Sequence, residues 1–153
     1  MNSIAVTWHG IPEPAWGTAV EPFMQSVLNR LSHRQWDISL VFCNDAFIHT
    51  LNKTYRKIDA PTDVLSFEQG EEYCDEAGQT RFSAGDIVIS LDSLKSNAET
   101  FHVSVNEELK RLLIHGTLHL SGMDHSDNSP QQEMLQLQEK ILGEYESTIV
   151  YQE

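Results

Sequence analysis

The chain has 153 residues, 40% of them hydrophobic, and its 10 Lys and Arg against 23 Asp and Glu give a formal net charge of −13. That length fits one domain, residues 1–153, able to bury a core without disulfides, and the charge excludes a protein that coats nucleic acid nonspecifically through cationic side chains. No apolar stretch reaches the roughly 18 to 20 residues that span a bilayer, Cys43 and Cys74 make no CxxC pair, and no basic segment leads into a long apolar run at the N-terminus, so the expectation is a cytoplasmic protein in a reducing setting without a membrane partner.

Asn2 to Trp8 places Ile4, Val6 and Trp8 in alternation, and Trp36 to Cys43 is rich in β-branched and aromatic residues; both predict strands. Between them, Pro14 to Leu31 carries Trp16, Val20, Phe23, Val27, Leu28 and Leu31 at helical intervals, completing a β-α-β unit. Asn44 is the expected N-cap of a helix with Phe47, Ile48, Leu51 and Tyr55 on one face. Beyond Pro61, Val64-Leu65-Ser66-Phe67 predicts a third strand, and the acidic stretch Glu68 to Ala84, with Gly70 and Gly78, an exposed loop. Gly85 to Leu91 predicts a fourth strand, and Asp92 or Ser93 the cap of a helix reaching about Phe101. Ser104 and Glu107 form a capping-box pattern that opens the next helix, with Leu109, Leu112, Leu113, His115 and His119. Ser129-Pro130 marks a last helix start, with Met134, Leu135, Leu137, Ile141 and Leu142 periodic behind it.

The stretch His115-Gly116-Thr117-Leu118-His119-Leu120-Ser121-Gly122-Met123-Asp124-His125 carries the chemistry. His115 and His119 share one helix face, and Gly122 can take positive φ and turn the chain so that His125 returns toward them. Three protein ligands leave one tetrahedral position of a zinc ion open, the arrangement of catalytic rather than structural sites. The spacing matches the metzincin frame His-x-x-x-His-x-x-Gly-x-x-His, but Gly116 stands where those peptidases carry their glutamate base. A metal that lowers the pKa of water to about 7 needs no such base, so phosphodiester hydrolysis fits if a cation stabilises the developing charge.

Together with Leu51-Asn52-Lys53-Thr54-Tyr55-Arg56, Pro61-Thr62-Asp63-Val64-Leu65-Ser66-Phe67 and Gly85-Asp86-Ile87-Val88-Ile89-Ser90, this stretch closely resembles the YbeY family of bacterial rRNA-maturation endoribonucleases. The resemblance implies a zinc-dependent, single-strand-specific endoribonuclease in 16S rRNA 3′-end processing and ribosome quality control. Its partners would be precursor rRNA and ribosomal small-subunit proteins, not DNA. It also implies one Zn²⁺ per chain on His115, His119 and His125, and a functional Arg56. The expected fold is α+β: a single domain with a mostly four-stranded mixed sheet flanked by helices, one of them a zincin-like metal helix. The loop at Glu68 to Ala84, and Ala84 where the family often has Leu, depart from the pattern.

By position alone, Arg56 is a cation suited to a helix C-terminus; the family block makes it a phosphate-binding fork. Asp124 can orient a histidine ligand or cap the turn. Asp63 and Asp86 read as turn-formers, and His9, His33, His49 and His102 as ordinary surface or partly buried residues. Lys53, Arg56 and Lys57, with Lys110 and Arg111 on the histidine helix, allow a local cationic cleft on an acidic body. Their dispersal would favour one of two rivals, a non-enzymatic ribosome-assembly factor with structural zinc; the other is a zincin-like metallohydrolase or peptidase.

Overall fold

A computed structural model describes residues 1–129 and 132–152. Strand β1 (Ser3–Trp8) is joined to the parallel strand β2 (Trp36–Cys43) through helix α1 (Val20–Arg30), the expected β-α-β unit. The helix expected from Pro14 is shorter: Ala15–Ala19 is a 3-10 turn, and α1 begins at Val20. Pro22 then falls in the first turn, where a missing N–H leaves no intrahelical bond unmade.

Asn44 caps helix α2 (Asp45–Leu51) by accepting the Phe47 N–H at 3.0 Å. The helix widens into a π turn over Asn52–Arg56 and stops at Lys57, which is left-handed with φ 63°.

Strands β3 (Val64–Cys74) and β4 (Thr80–Ser90) form a long antiparallel hairpin, which corrects the loop expected at Glu68 to Ala84. Asp75 makes the turn, its side chain accepting from the Ala77 and Gln79 N–H groups at 2.9 Å. The outer hairpin is tied to β2: Arg81 binds Asp37 at 2.6 Å, and the Tyr73 hydroxyl donates to the same carboxylate. The exposed, acidic outer half of β3, Glu68 to Cys74, lacks the buried face that betrays a strand in sequence, and pairing in the sheet supplies what patterning does not.

The sheet order is β1-β2-β4-β3, with β2 and β4 parallel, so it is mixed and four-stranded as expected. Helix α3 (Leu91–Phe101) follows β4; its cap is Ser90, which accepts the Ser93 N–H at 3.3 Å, not Asp92 or Ser93. Helix α4 (Val105–Leu120) starts at the predicted Ser104 cap, which accepts the Glu107 N–H at 3.0 Å. Helix α5 (Glu133–Glu144) follows Gln132; the predicted start at Pro130 lies outside the described residues.

The main core lies between one sheet face (Ile38, Leu40, Phe42, Ile87, Ile89) and residues of α1, α4 and α5, including Phe23, Leu113 and Ile141. A smaller cluster, Cys43, Ile48, Leu65 and Val88, sits under α2 on the other face. Helix α4 is buried on nearly every side, wedged between the sheet and α5, which fixes the direction in which its histidines point.

Candidate metal centre

His115 and His119 lie one turn apart on α4 with their Nε2 atoms 3.1 Å apart. Ser121 ends the helix. The Gly122 N–H then bonds the His119 carbonyl at 3.0 Å and the Met123 N–H bonds the Leu118 carbonyl at 3.1 Å. These two bonds are a Schellman motif, which requires a left-handed residue after the cap; Gly122 supplies it with φ 91°. The chain reverses and carries His125 back, so that one nitrogen from each of the three rings lies within 4.8 Å of the others.

Each ring uses its far nitrogen on an oxygen acceptor. His115 Nδ1 is 2.6 Å from Gln138 Oε1, His119 Nδ1 is 3.2 Å from the Met123 carbonyl, and His125 Nδ1 is 2.8 Å from the Asp127 carbonyl. Those acceptors assign the proton to Nδ1 in all three and leave three Nε2 lone pairs for one centre. Lone pairs at such separations repel unless a cation lies between them. Tetrahedral zinc with bonds of 2.0–2.1 Å would hold ligand nitrogens about 3.3 Å apart, close to the separation of the first pair. Burial pushes the His115 and His119 imidazoles below their ordinary pKa, with the neighbouring histidines acting the same way. Both rings are therefore neutral and competent to bind a metal at pH 7.

Gly116 is explained by packing. A Cβ there would stand 2.9 Å from Ile87 Cγ2, with two further Ile87 carbons within 3.1 Å, because α4 runs directly over β4. There is no room for a glutamate.

His115 and His119 open into a cavity of about 750 Å³, lined also by Arg56, Ser66, Phe67, Glu68 and Asp124. Arg56 reaches it from the π turn after α2: its Nη2 donates to the Ser66 carbonyl at 2.5 Å, and its guanidinium lies 5.0 Å from the Phe67 ring centre. Anchored on one side, the fork keeps its other N–H groups for an anion.

The other expected cations are elsewhere. Lys110 is buried and donates to the Tyr145, Thr148 and Glu146 carbonyls at 2.7, 2.8 and 3.3 Å, closing the end of α5. Arg111 pairs with Glu107, Glu108 and Glu139. Lys57 bonds the Thr54 carbonyl, and neither it nor Lys53 lines the cavity. The extended cationic cleft is thus replaced by one arginine.

Asp124 caps the turn by accepting the His125 N–H at 2.8 Å. Asp63 likewise shapes its own turn, accepting the Val64 N–H at 2.7 Å and the Asn97 amide at 2.8 Å, while Asp86 lines a separate groove beside α2. His9 stacks on Phe47, His33 on Trp36, His49 pairs with Asp59, and His102 ends α3 in a left-handed conformation.

Sequence reasoning missed Gln138. The available signal was a glutamine within the buried stripe Met134, Gln138, Ile141 of α5, where an apolar residue is expected.

A family profile described as Endoribonuclease YbeY matches residues 5–146. Curated relatives of that name include one from Treponema denticola, 62% identical and covering 98% of this chain and 97% of its own length. Another, from Borreliella burgdorferi, is 45% identical and covers 80% of this chain and 82% of its own length. The solution structure of TM1509 from Thermotoga maritima is similar in fold, with a TM-score of 0.63 and 25% identity over 94% of this chain and 92% of that one.

Proposed function

The chain belongs to the YbeY endoribonuclease family, and from that premise we propose that residues 1–153 form one zinc-dependent endoribonuclease domain that cuts single-stranded RNA. Its place is the cytoplasm, in 16S rRNA 3′-end maturation and ribosome quality control, alongside small-subunit proteins. The observation that carries the reading is the convergence of one nitrogen from each of His115, His119 and His125, the first two of which line the cavity that Arg56 enters.

In this reading His115, His119 and His125 hold Zn²⁺ through Nε2, each keeping its Nδ1 proton on an oxygen acceptor. When bound, zinc supplies Lewis acidity toward a phosphate oxygen or a water. Arg56 is the catalytic residue of the protein part: fixed by Ser66 and Phe67, it binds the scissile phosphate and neutralises charge as it develops. Glu68 and Asp124 make the rest of the cavity acidic, so a phosphate is drawn to the Arg56 side. The dispersal of Lys110 and Arg111 by itself favours an assembly factor; membership of a family of endoribonucleases outweighs it. The Gly116–Ile87 contact disfavours a peptidase, since no glutamate base fits there.

The test is cleavage of a single-stranded RNA beside a peptide mixture, with metal content measured by elemental analysis. RNA should be cut and peptides left whole. Arg56→Glu should lose cleavage with normal zinc, and His119→Ala should lose zinc. Normal cleavage by Arg56→Glu removes Arg56 from the mechanism, and full zinc in His119→Ala refutes the ligand set. Cutting at a 2′-deoxy site assigns the attack to water, not to the RNA 2′-hydroxyl.

A further inference from the structure

His115 differs from its two partners in what orients it. His119 and His125 lean on backbone carbonyls, which present only an acceptor, whereas His115 leans on the side-chain amide of Gln138. An amide has two ends of nearly equal shape, one accepting and one donating. With Oε1 toward His115, Nδ1 carries the proton and Nε2 is free. Turned over, the amide would donate to Nδ1, and the proton would move to Nε2, where it blocks a metal.

The neighbouring side chains remove that ambiguity. Gln138 is 6% exposed, and its Nε2 donates to Glu139 Oε2 at 3.1 Å. A carboxylate can only accept, so the amide nitrogen faces Glu139 and the amide oxygen faces His115. Glu139 is in turn gripped by the Arg111 fork, Nε to Oε2 at 3.0 Å and Nη2 to Oε1 at 3.1 Å. Burial pushes the Glu139 carboxyl up, but the hydrogen bonds from Arg111 and Gln138 outweigh it and keep the group ionised, an acceptor. Arg111 sits on α4 four residues before His115, on the same face toward α5, and is held by Glu108 at 2.8 Å and Glu107 at 3.1 Å.

We propose that Gln138, oriented by Glu139 and Arg111, is a positioning residue that sets the His115 tautomer and thereby the strength of the metal site. The proposal rests on the zinc reading above for its consequence, but not for its geometry. It gives Arg111 a part in the site although the residue never enters the cavity. The polar chain runs from an ion-pair cluster between α4 and α5 through one amide to one imidazole.

Two readouts test it: Zn²⁺ affinity by competition with a chromophoric chelator, and the His115 tautomer in the metal-free protein from long-range ¹H–¹⁵N imidazole spectra. Gln138→Leu, close in size and helix-compatible, should lose affinity by roughly 10- to 100-fold, and its His115 should redistribute between tautomers. Gln138→Glu combined with Glu139→Ala keeps an acceptor toward His115 without setting two carboxylates face to face at 3.1 Å, and should bind zinc within a few-fold of the parent or more tightly. Glu139→Ala should weaken zinc binding when residue 138 is glutamine and leave it unchanged or strengthen it in the Gln138→Glu background, where it also removes a like charge, a dependence that a merely structural contact would not show. Parental affinity and tautomer in Gln138→Leu overturn the proposal, as does equal weakening by Glu139→Ala in both backgrounds. If the parent protein bound no zinc, the metal reading would fall, and the tautomer spectra alone would decide the role of Gln138.

Discussion

Single residues decide which chemistry this helix can carry. Gly116 is the position that separates the chain from peptidases with a similar histidine frame, and Ile87 beneath it shows why the difference is not a simple exchange. Gly116→Glu would overpack the α4–β4 contact at about 1–3 kcal/mol and bury an unpaired carboxylate at several more, against a total stability of about 5–15 kcal/mol. The variant is expected to lose cooperative thermal unfolding by circular dichroism instead of gaining peptidase activity. His33 offers a residue-scale test of pH dependence. Its ring stacks on Trp36 at 3.7 Å and contacts the Ser121 hydroxyl at 2.9 Å, and burial holds its pKa below the ordinary 6.5. The unfolded chain therefore binds this proton more readily. The stabilisation is present above the ordinary value and is lost as pH falls through the folded pKa. Denaturant unfolding between about pH 7.5 and about pH 5 should show a smaller loss of stability in His33→Gln than in the parent.

At the scale of elements, the reversal after α4 and the closure of α5 carry the site. The Schellman bonds place His125, and Gly122 makes them at φ 91° with open space around its Cα. Gly122→Ala meets no steric contact, yet holding a left-handed alanine costs about 1–2 kcal/mol. A drop in melting temperature of about 2–8 °C is expected together with weaker Zn²⁺ binding, read by chelator competition. Lys110 shows the opposite case, a residue placed by sequence beside the histidines and used by the fold elsewhere. Its ammonium satisfies three carbonyls at the end of α5. Lys110→Met should leave them unpaired and cost about 2 kcal/mol in urea unfolding, with RNA cleavage by the remaining folded protein unchanged.

For the whole molecule, the three clustered histidines are each only partly buried, beside the apolar core that the sheet forms with α1, α4 and α5. A chelator should therefore abolish cleavage while far-UV circular dichroism and cooperative unfolding persist at a slightly lower midpoint. Collapse of the fold on chelation would mark a bracing metal instead. Among the described residues no helix is long and apolar enough to cross a membrane.

Much of this was legible in order along the chain. The β-α-β opening, the Asn44 and Ser104 caps and the three-histidine spacing are local signals, each written within a few residues, where helix periodicity and backbone capping act. The outer hairpin was not legible, because its β3 side is exposed from Glu68 to Cys74 and both strands acquire their conformation from pairing, across the turn at Asp75 and with β2. Gln138 was not either, since its meaning depends on α5 lying against α4. The sequence by itself determined that three imidazoles can meet and that no glutamate stands among them. Only the tertiary structure decided which nitrogen each ring presents, which of five cations shares their cavity, and why position 116 is glycine. Those answers depend on contacts between elements far apart in the chain, which local spacing does not encode.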